Sequence, residues 1–529
     1  MGTSQLYLRQ NVKAEPLFNQ WYAWPQLISP ATAAMHIANS HLKIMRSYVA
    51  APQVHTAMLK NPAMLGGPFI DHGGERVDEI RALMEKTARA QAHMVRFAES
   101  VKALDDTLRN EAHGNTLEPL YEKVPDNLKG YVELVYDLNN NPSIRFIEGL
   151  LYQSNYYDPS LQSVSLSLVE RDDRPFALST PRLPDAASVQ INQPFNQEGM
   201  KALFAMRHEP QPFEYITELL GMQPRDEQLF MSFLTQQGPP PRERYSGGGV
   251  RVRYFGHACL LLETADVSLL TDPVLSYGYE GGIVRFTYAD LPEVIDYVLI
   301  THGHQDHIML ESLLQLRHRV REVIVPRNRG GSLQDPSLKM ALRNIGFERV
   351  VELDEMETVS VPSGSITGLP FLGEHADLNV GSKLAYRVVL NAKSFLMAAD
   401  SNNVEPQLYK QLFNALGDLD VLFIGMECDG APLSWVYGPL LTKAIDRKMD
   451  QSRRLSGSDY EKAVAIVDQF NCKHVYVYAM GQEPWLNYVM CIKYSDDSNP
   501  IVASNKLIEE CRRRGIVSER LFGQKEMIF

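Results

Sequence analysis

The sequence predicts an α/β protein in two parts: a mainly helical domain of α+β content over residues 1–245, then a sheet sandwich covered by helices over residues 246–529. Three observations carry this reading. The chain has 529 residues, and at roughly 100 to 200 residues per domain that length calls for two to four domains with at least one sizeable core. Its texture changes once, from helical spacing of apolar residues to short β-rich runs. At the change stands QQGPPPRERYSGGG, residues 236–249, whose prolines, charges and glycines build no core and suit a linker.

Residues 18–222 read as mostly helical. Val77, Ile80, Met84, Met94, Val101, Leu104 and Leu108 keep near-helical spacing over a long segment. Such a stripe needs a cover, and packing inside its own domain outweighs a subunit contact. Residues 171–194, rich in Pro, Asp and Ser, read as loops and short strands. No residue of this half is assigned a catalytic role. Beyond the linker come VRVRYF from Val250, CLLLET from Cys259, VSLLT from Val267 and VIDYVLIT ending at Thr301. EVIVP, SITGLP, LAYRVVL, SFLMAA, DVLFIG and HVYVY follow, with helical segments such as ESLLQLRHRV and EKAVAIVDQF between some of them.

Composition narrows the function. Hydrophobic residues make up 44% and charged residues 22% of the chain, which excludes wholesale disorder and collagen-like classes. A net charge of -12 repels a phosphate backbone, so no nucleic-acid partner is expected. There is no apolar run of about 18 residues, and MGTSQLYLRQNVKAEP at the start lacks the apolar stretch of a secretory signal. No membrane partner is expected, and the cytoplasm is the expected address. The five cysteines are scattered without a C-x-x-C pair, which points to buried free thiols.

The strongest chemical signal is THGHQDH, which sets His302, His304, Asp306 and His307 directly after an apolar strand. On extended backbone alternate side chains share a face, so His302 and His304 can chelate one ion while Asp306 and His307 in the following turn reach a second. A polar loop capping a helix accounts for one histidine, not for four grouped ligands. Downstream, FLGEHADLN offers Glu374 and His375 side by side, and FLMAADSNN offers Asp400 just past a strand, where a carboxylate can bridge two ions. Neighbouring side chains on extended backbone diverge, so only one of Glu374 and His375 is expected to face the metals. A ligating His375 makes a nitrogen-rich site suited to zinc; a ligating Glu374 makes a set of three histidines and three carboxylates, whose hard oxygens suit iron.

The order strand, GHACLLLE, LLTDP, strand and H-x-H-x-D-H resembles the metallo-β-lactamase superfamily. That resemblance implies an αββα sandwich from about Val250 to the C-terminus, with Asp272 orienting a ligand histidine from behind. His257 and Glu263 are weaker candidates. Hydrolases of this superfamily place a last histidine after a late strand, yet here KHVYVYAMGQEPW runs through Tyr478, Ala479 and Met480 with none, and His474 lies too early.

With Glu374 beside His375, no final histidine and a separate N-terminal domain, the chain resembles, over essentially its whole length, the diiron β-hydroxylases of the CmlA type. The resemblance implies a non-haem diiron monooxygenase acting on an amino acid held as a thioester on a nonribosomal peptide synthetase carrier domain in antibiotic biosynthesis, the amino acid aromatic, such as L-p-aminophenylalanine. It implies two iron ions, one on His302, His304 and Glu374, the other on Asp306 and His307, bridged by Asp400, with Asp272 and His375 in support. O₂ is the implied co-substrate. The chain shows no G-x-G-x-x-G loop and no cysteine grouping for an iron–sulfur centre, so an external reductase or ferredoxin is expected. A homodimer through residues 1–245, which would also contact the carrier, is expected in part from the resemblance. Docking of an acidic carrier would need a local basic surface, with Arg327, Arg329 and Lys339, or Arg453 and Arg454, or Arg512 to Arg514 as candidates. Residues 426–439, with Glu427, Asp429, Trp435 and Tyr437, suit either a substrate pocket or a packed loop. The rival functions are a zinc or manganese hydrolase of the same superfamily, acting on a phosphodiester, lactone or thioester, and a non-catalytic binding module.

Overall fold

The computed structural model describes residues 5–240 and 244–529. Part of the expected linker, residues 241–243, lies outside them. Two seven-stranded sheets face each other. The first runs in the order Val350–Leu353, Val320–Pro326, Ile295–Leu299, Ser268–Thr271, Cys259–Glu263, Arg251–Gly256 and Lys525–Ile528. The second runs Thr358–Val361, Gly364–Leu369, Ala385–Leu390, Lys393–Met397, Val421–Gly425, His474–Tyr478 and Val517–Arg520.

Alternation along the strands explains both layers. Val252, Tyr254, Leu260, Leu262 and Leu269 point between the sheets and meet Ile366, Tyr386, Val388, Phe395 and Phe423 of the second. Their neighbours Phe255, Cys259, Leu261 and Leu270 point the other way, into a core continuous with the N-terminal half. The outer face of the second sheet is covered by the helices Gln407–Leu416, Tyr460–Phe470 and Asn499–Arg513. Strands buried on both faces read as near-continuous apolar runs, and burying both faces of each sheet is what makes this an αββα sandwich.

The N-terminal half holds more strand than its sequence texture suggests. Trp21–Tyr22, Val12–Phe18, Gln162–Leu168 and Ser188–Ile191 form a four-stranded antiparallel sheet. Gln162–Leu168 carries period-two alternation that the surrounding helical signal masks. The apolar stripe belongs to two helices, Val77–Ala90 and Ala92–Glu111, broken at Gln91 with φ -104° and ψ 23°. Ile80, Met94, Val101, Leu104 and Leu108 are buried within the protein's own core, so the stripe is not spare surface. The helix expected over ESLLQLRHRV stops at Leu316, and Val320 already pairs with Ile295 in the sheet. Tertiary pairing overrides the local helical pattern there.

Candidate metal centre

Both sheets contain a parallel run, and the chemistry sits where those strands end. Asp272 follows Ser268–Thr271, the THGHQDH loop follows Ile295–Leu299, Asp400 follows Lys393–Met397, and Glu427 follows Val421–Gly425. Side chains leaving one rim of two packed sheets converge without any local sequence proximity. The turns that aim them are strained: His257, Asp272, Glu374, Ala399 and Ala479 all have positive φ, between 34° and 66°. Non-glycine residues in this region cost about 1 kcal/mol or more each and gather where function holds them. Ala399 is steadied by its N–H donating to Tyr478 Oη at 3.0 Å, Ala479 by its N–H donating to the His257 carbonyl at 2.9 Å.

Seven side chains meet in three overlapping groups: His302, His304 and Glu374; His302, His307 and Asp400; and His257, Asp306 and His307. Glu374 Oε1 is 2.7 Å from His304 Nδ1, and Oε2 is 3.7 Å from His302 Nε2. His307 Nε2 is 3.0 Å from Asp400 Oδ2 and 3.6 Å from Asp306 Oδ2. The left-handed turn at Glu374, φ 66°, sends its carboxylate into this space. His375 lies behind it, with Nδ1 3.0 Å from both His304 Nε2 and Tyr437 Oη, and belongs to none of the three groups.

Supporting contacts fix the rings. Asp272 accepts from Thr301 N–H at 2.8 Å and Thr301 Oγ1–H at 2.6 Å, and its Oδ2 lies 2.8 Å from His307 Nδ1. That contact turns Nε2 of His307 toward Asp400. Gly481 N–H donates to His257 Nδ1 at 3.2 Å, which leaves the ring proton on Nε2, 3.1 Å from Asp306 Oδ2. By that assignment His257 orients Asp306. Glu263, the other weak candidate, is an ion-pair partner of Arg251 and Arg253, remote from these groups. His474 sits at the far end of its strand, beside Phe529.

Burial lowers His302 far below the ordinary histidine range, aided by the neighbouring imidazoles. At His307 burial pulls the same way but is outweighed by Asp400, Asp306 and Asp272, which raise it well above that range. Burial also pushes Glu374 up to about 7. Buried carboxylates crowd together here, and no Lys or Arg lines the cavity above them among the described residues. His302 Nε2, Glu374 Oε2 and Asp400 Oδ1 are buried with no hydrogen-bond partner. Orphaned acceptors among histidine nitrogens and carboxylate oxygens are what metal ligation satisfies, so the residues fit a pair of metal ions.

A cavity of about 240 Å³ opens above Asp306, Glu374 and Asp400. Glu427, Asp429 and Trp435 line it, so residues 426–439 are more than a packed loop; Tyr437 instead lies beneath, 2.9 Å from His304 Nε2. The N-terminal half reaches the cavity as well. Leu65 is part of its wall, Trp435 Nε1 donates to the Gly66 carbonyl at 2.9 Å, and Phe176 stacks on Trp435. That contribution had no sequence signal, because a lone Leu in a turn looks like any other. The basic clusters weighed as docking surface are largely matched at home. Arg329 pairs with Asp354 at 2.8 Å, Lys339 with Glu352 at 3.0 Å and Arg513 with Glu510 at 2.7 Å, while Arg453 Nε donates to the Ala376 carbonyl at 2.8 Å.

A family model described as the diiron non-haem β-hydroxylase N-terminal domain matches residues 7–239, and a β-lactamase superfamily domain model matches residues 268–468. The chain is 40% identical over 525 residues to the 4-amino-L-phenylalanyl-[CmlP-peptidyl-carrier-protein] 3-hydroxylase of Streptomyces venezuelae, spanning 97% of this chain and 98% of that one. The chain belongs to the diiron non-haem β-hydroxylase family. The crystal structure of CmlA, a diiron β-hydroxylase from Streptomyces venezuelae, matches this β-hydroxylase fold over 100% of both chains with a TM-score of 0.93 and 39% identity. A mutant of the CmlA β-hydroxylase matches over 99% of this chain and 100% of that one with a TM-score of 0.91 and 39% identity. A metal-dependent hydrolase of Christiangramia forsetii is 25% identical over 26% of this chain and 63% of its own length.

Proposed function

We propose that this member of the family is an O₂-dependent monooxygenase that hydroxylates the β-carbon of an amino acid, aromatic and close to 4-aminophenylalanine, held as a thioester on a nonribosomal peptide synthetase carrier domain in antibiotic biosynthesis. His302, His304 and Glu374 would hold one iron and Asp306 and His307 the other, with Asp400 shared between them. The single observation that supports this over a zinc hydrolase is the turn at Glu374, which brings its carboxylate, and not the His375 ring, into one ligand group with His302 and His304. Two histidines and one carboxylate with open positions are a ligand set that suits non-haem iron. Bound iron supplies the oxygen chemistry; the chain's own residues hold the rings in register through Asp272 and Tyr437, exclude bulk water with Leu65 and Trp435, and bring the acyl group to the rim.

The reading extends to an external reductase or ferredoxin as electron donor, to a cytoplasmic address, and to a homodimer in which residues 1–245 also meet the carrier. No described helix is long and apolar enough to cross a membrane. The decisive experiment incubates reduced iron-loaded protein and O₂ with aminoacyl-loaded carrier domain and follows mass. One added oxygen atom on the acyl group is expected. Bound zinc with thioester or phosphodiester hydrolysis, and no oxygen uptake, overturns it. Light scattering that finds a monomer at micromolar concentration removes the dimer.

A further inference from the structure

One acid at the cavity is left over once the metal centre is assigned. Glu427 lines the cavity wall, where burial first and then the charges of Asp400, Asp306 and Glu374 push its carboxyl well above the usual carboxylate range, yet it belongs to none of the metal-ligand groups. Among the described residues no hydrogen bond or ion pair reaches its carboxylate. Asp429, two residues on, is exposed and already takes a hydrogen bond from Asn499 Nδ2 at 2.8 Å. A second, independent feature faces the same space: Gln305 is 3% exposed, lines the cavity, and its Oε1 is buried without a partner. The remaining wall is largely apolar, from Leu65, Pro432, Trp435, Val436, Leu455 and Met490.

An unpaired carboxylate and an unpaired carbonyl oxygen on an otherwise apolar wall select a cationic hydrogen-bond donor carried on an apolar body. An aminoacyl thioester is such a ligand, because esterification leaves its α-ammonium as the charge on the backbone end. The ammonium nitrogen and the β-carbon are both bonded to the same α-carbon and lie about 2.5 Å apart. Whatever receives the ammonium must therefore stand beside the reacting atom, and so beside the metals, as Glu427 and Gln305 do.

We propose that Glu427 and Gln305 bind the α-ammonium of the carrier-bound aminoacyl group, fixing which C–H bond faces the metal centre and rejecting acyl groups that lack the amine. The assignment rests on the aminoacyl-carrier reading above. The test loads the carrier with the amino acid and, separately, with the same acid lacking its α-amine, and measures kcat/KM for native and Glu427→Gln holoenzyme alongside iron content. Native enzyme favours the aminoacyl carrier by about tenfold to a hundredfold. In the variant that preference shrinks to less than about threefold, mostly through KM, with both irons retained. Equal losses on the two substrates, or loss of iron, overturn the assignment. If E427Q does not accumulate as folded holoenzyme, Glu427→Asp serves in its place, and an unchanged amine preference there also overturns it. Native enzyme that hydroxylates both substrates equally removes this assignment alone; native enzyme inert on both removes the hydroxylase reading with it.

Discussion

Two buried charge clusters in this molecule are built by opposite rules. Where the N-terminal half meets the first sheet, Glu15 and Glu311 lie against Arg174 and Arg182. Arg174 Nη2 reaches Glu15 Oε1 at 2.7 Å and Glu311 Oε2 at 2.8 Å, Arg182 Nε reaches Glu15 Oε1 at 3.1 Å, and Lys13 lies 3.3 Å from Glu15 Oε2. Tyr22 and Tyr277 complete Glu311 at 2.8 and 2.6 Å. Every carboxylate oxygen there has a donor. At the sandwich rim, among the described residues, Asp400 Oδ1 and His302 Nε2 have none, and Glu374 Oε2 has only the His375 ring 3.1 Å away. A closed cluster fastens two halves of the chain together, whereas an open one is waiting for cations. Burial is the same in both; what differs is whether the protein supplies the counter-charge.

The largest expected effect is at the rim. Asp400→Asn should lower iron content and take hydroxylation to background, as read by metal analysis and acyl-carrier mass. In the metal-free protein the same change should leave the denaturant midpoint equal or higher, because it removes one of several buried carboxylates crowded together, one oxygen of which has no partner among the described residues. Next comes the closed cluster. Glu311→Ala leaves Arg174 with Glu15 alone and leaves Tyr22 and Tyr277 without their acceptor, and should cost about 3–5 kcal/mol in urea unfolding. Iron bound per folded molecule should stay unchanged. A midpoint that falls as far for Asp400→Asn as for Glu311→Ala would erase the distinction between the clusters.

A smaller effect tests orientation. Asp272→Asn keeps the shape but weakens the hold on His307, and iron affinity or turnover should drop about 10- to 100-fold, with the fold intact by circular dichroism. Smaller still is a pH effect away from both clusters. Burial raises Glu148, which accepts from Ser337 N–H at 3.1 Å, to about 7. The folded state thus holds a proton that the unfolded chain releases near pH 4.5. Its contribution to stability is fully present below about pH 4.5 and is lost as pH rises to about 7. Glu148→Gln should flatten that part of the stability profile and raise stability at pH 8 by on the order of 2 kcal/mol. Stability profiles that superimpose for native and variant protein would refute the assignment.

The sequence by itself determined the two-part plan and most of the sandwich, because strands buried on both faces are written as continuous apolar runs with turn residues between them. It also determined that His302, His304, Asp306 and His307 form one group, since six successive positions leave them nowhere else to be. Only the tertiary structure places Glu374, and not His375, in one group with His302 and His304. Adjacent side chains on a chain diverge, and which one faces inward depends on a left-handed turn that no residue type there announces. Leu65 and Gln305 were likewise decided in three dimensions. Each is ordinary among its sequence neighbours, and each gains meaning only when two sheets bring distant strand ends to one rim. Local pattern records periodicity and burial; convergence of remote side chains is a property of packing.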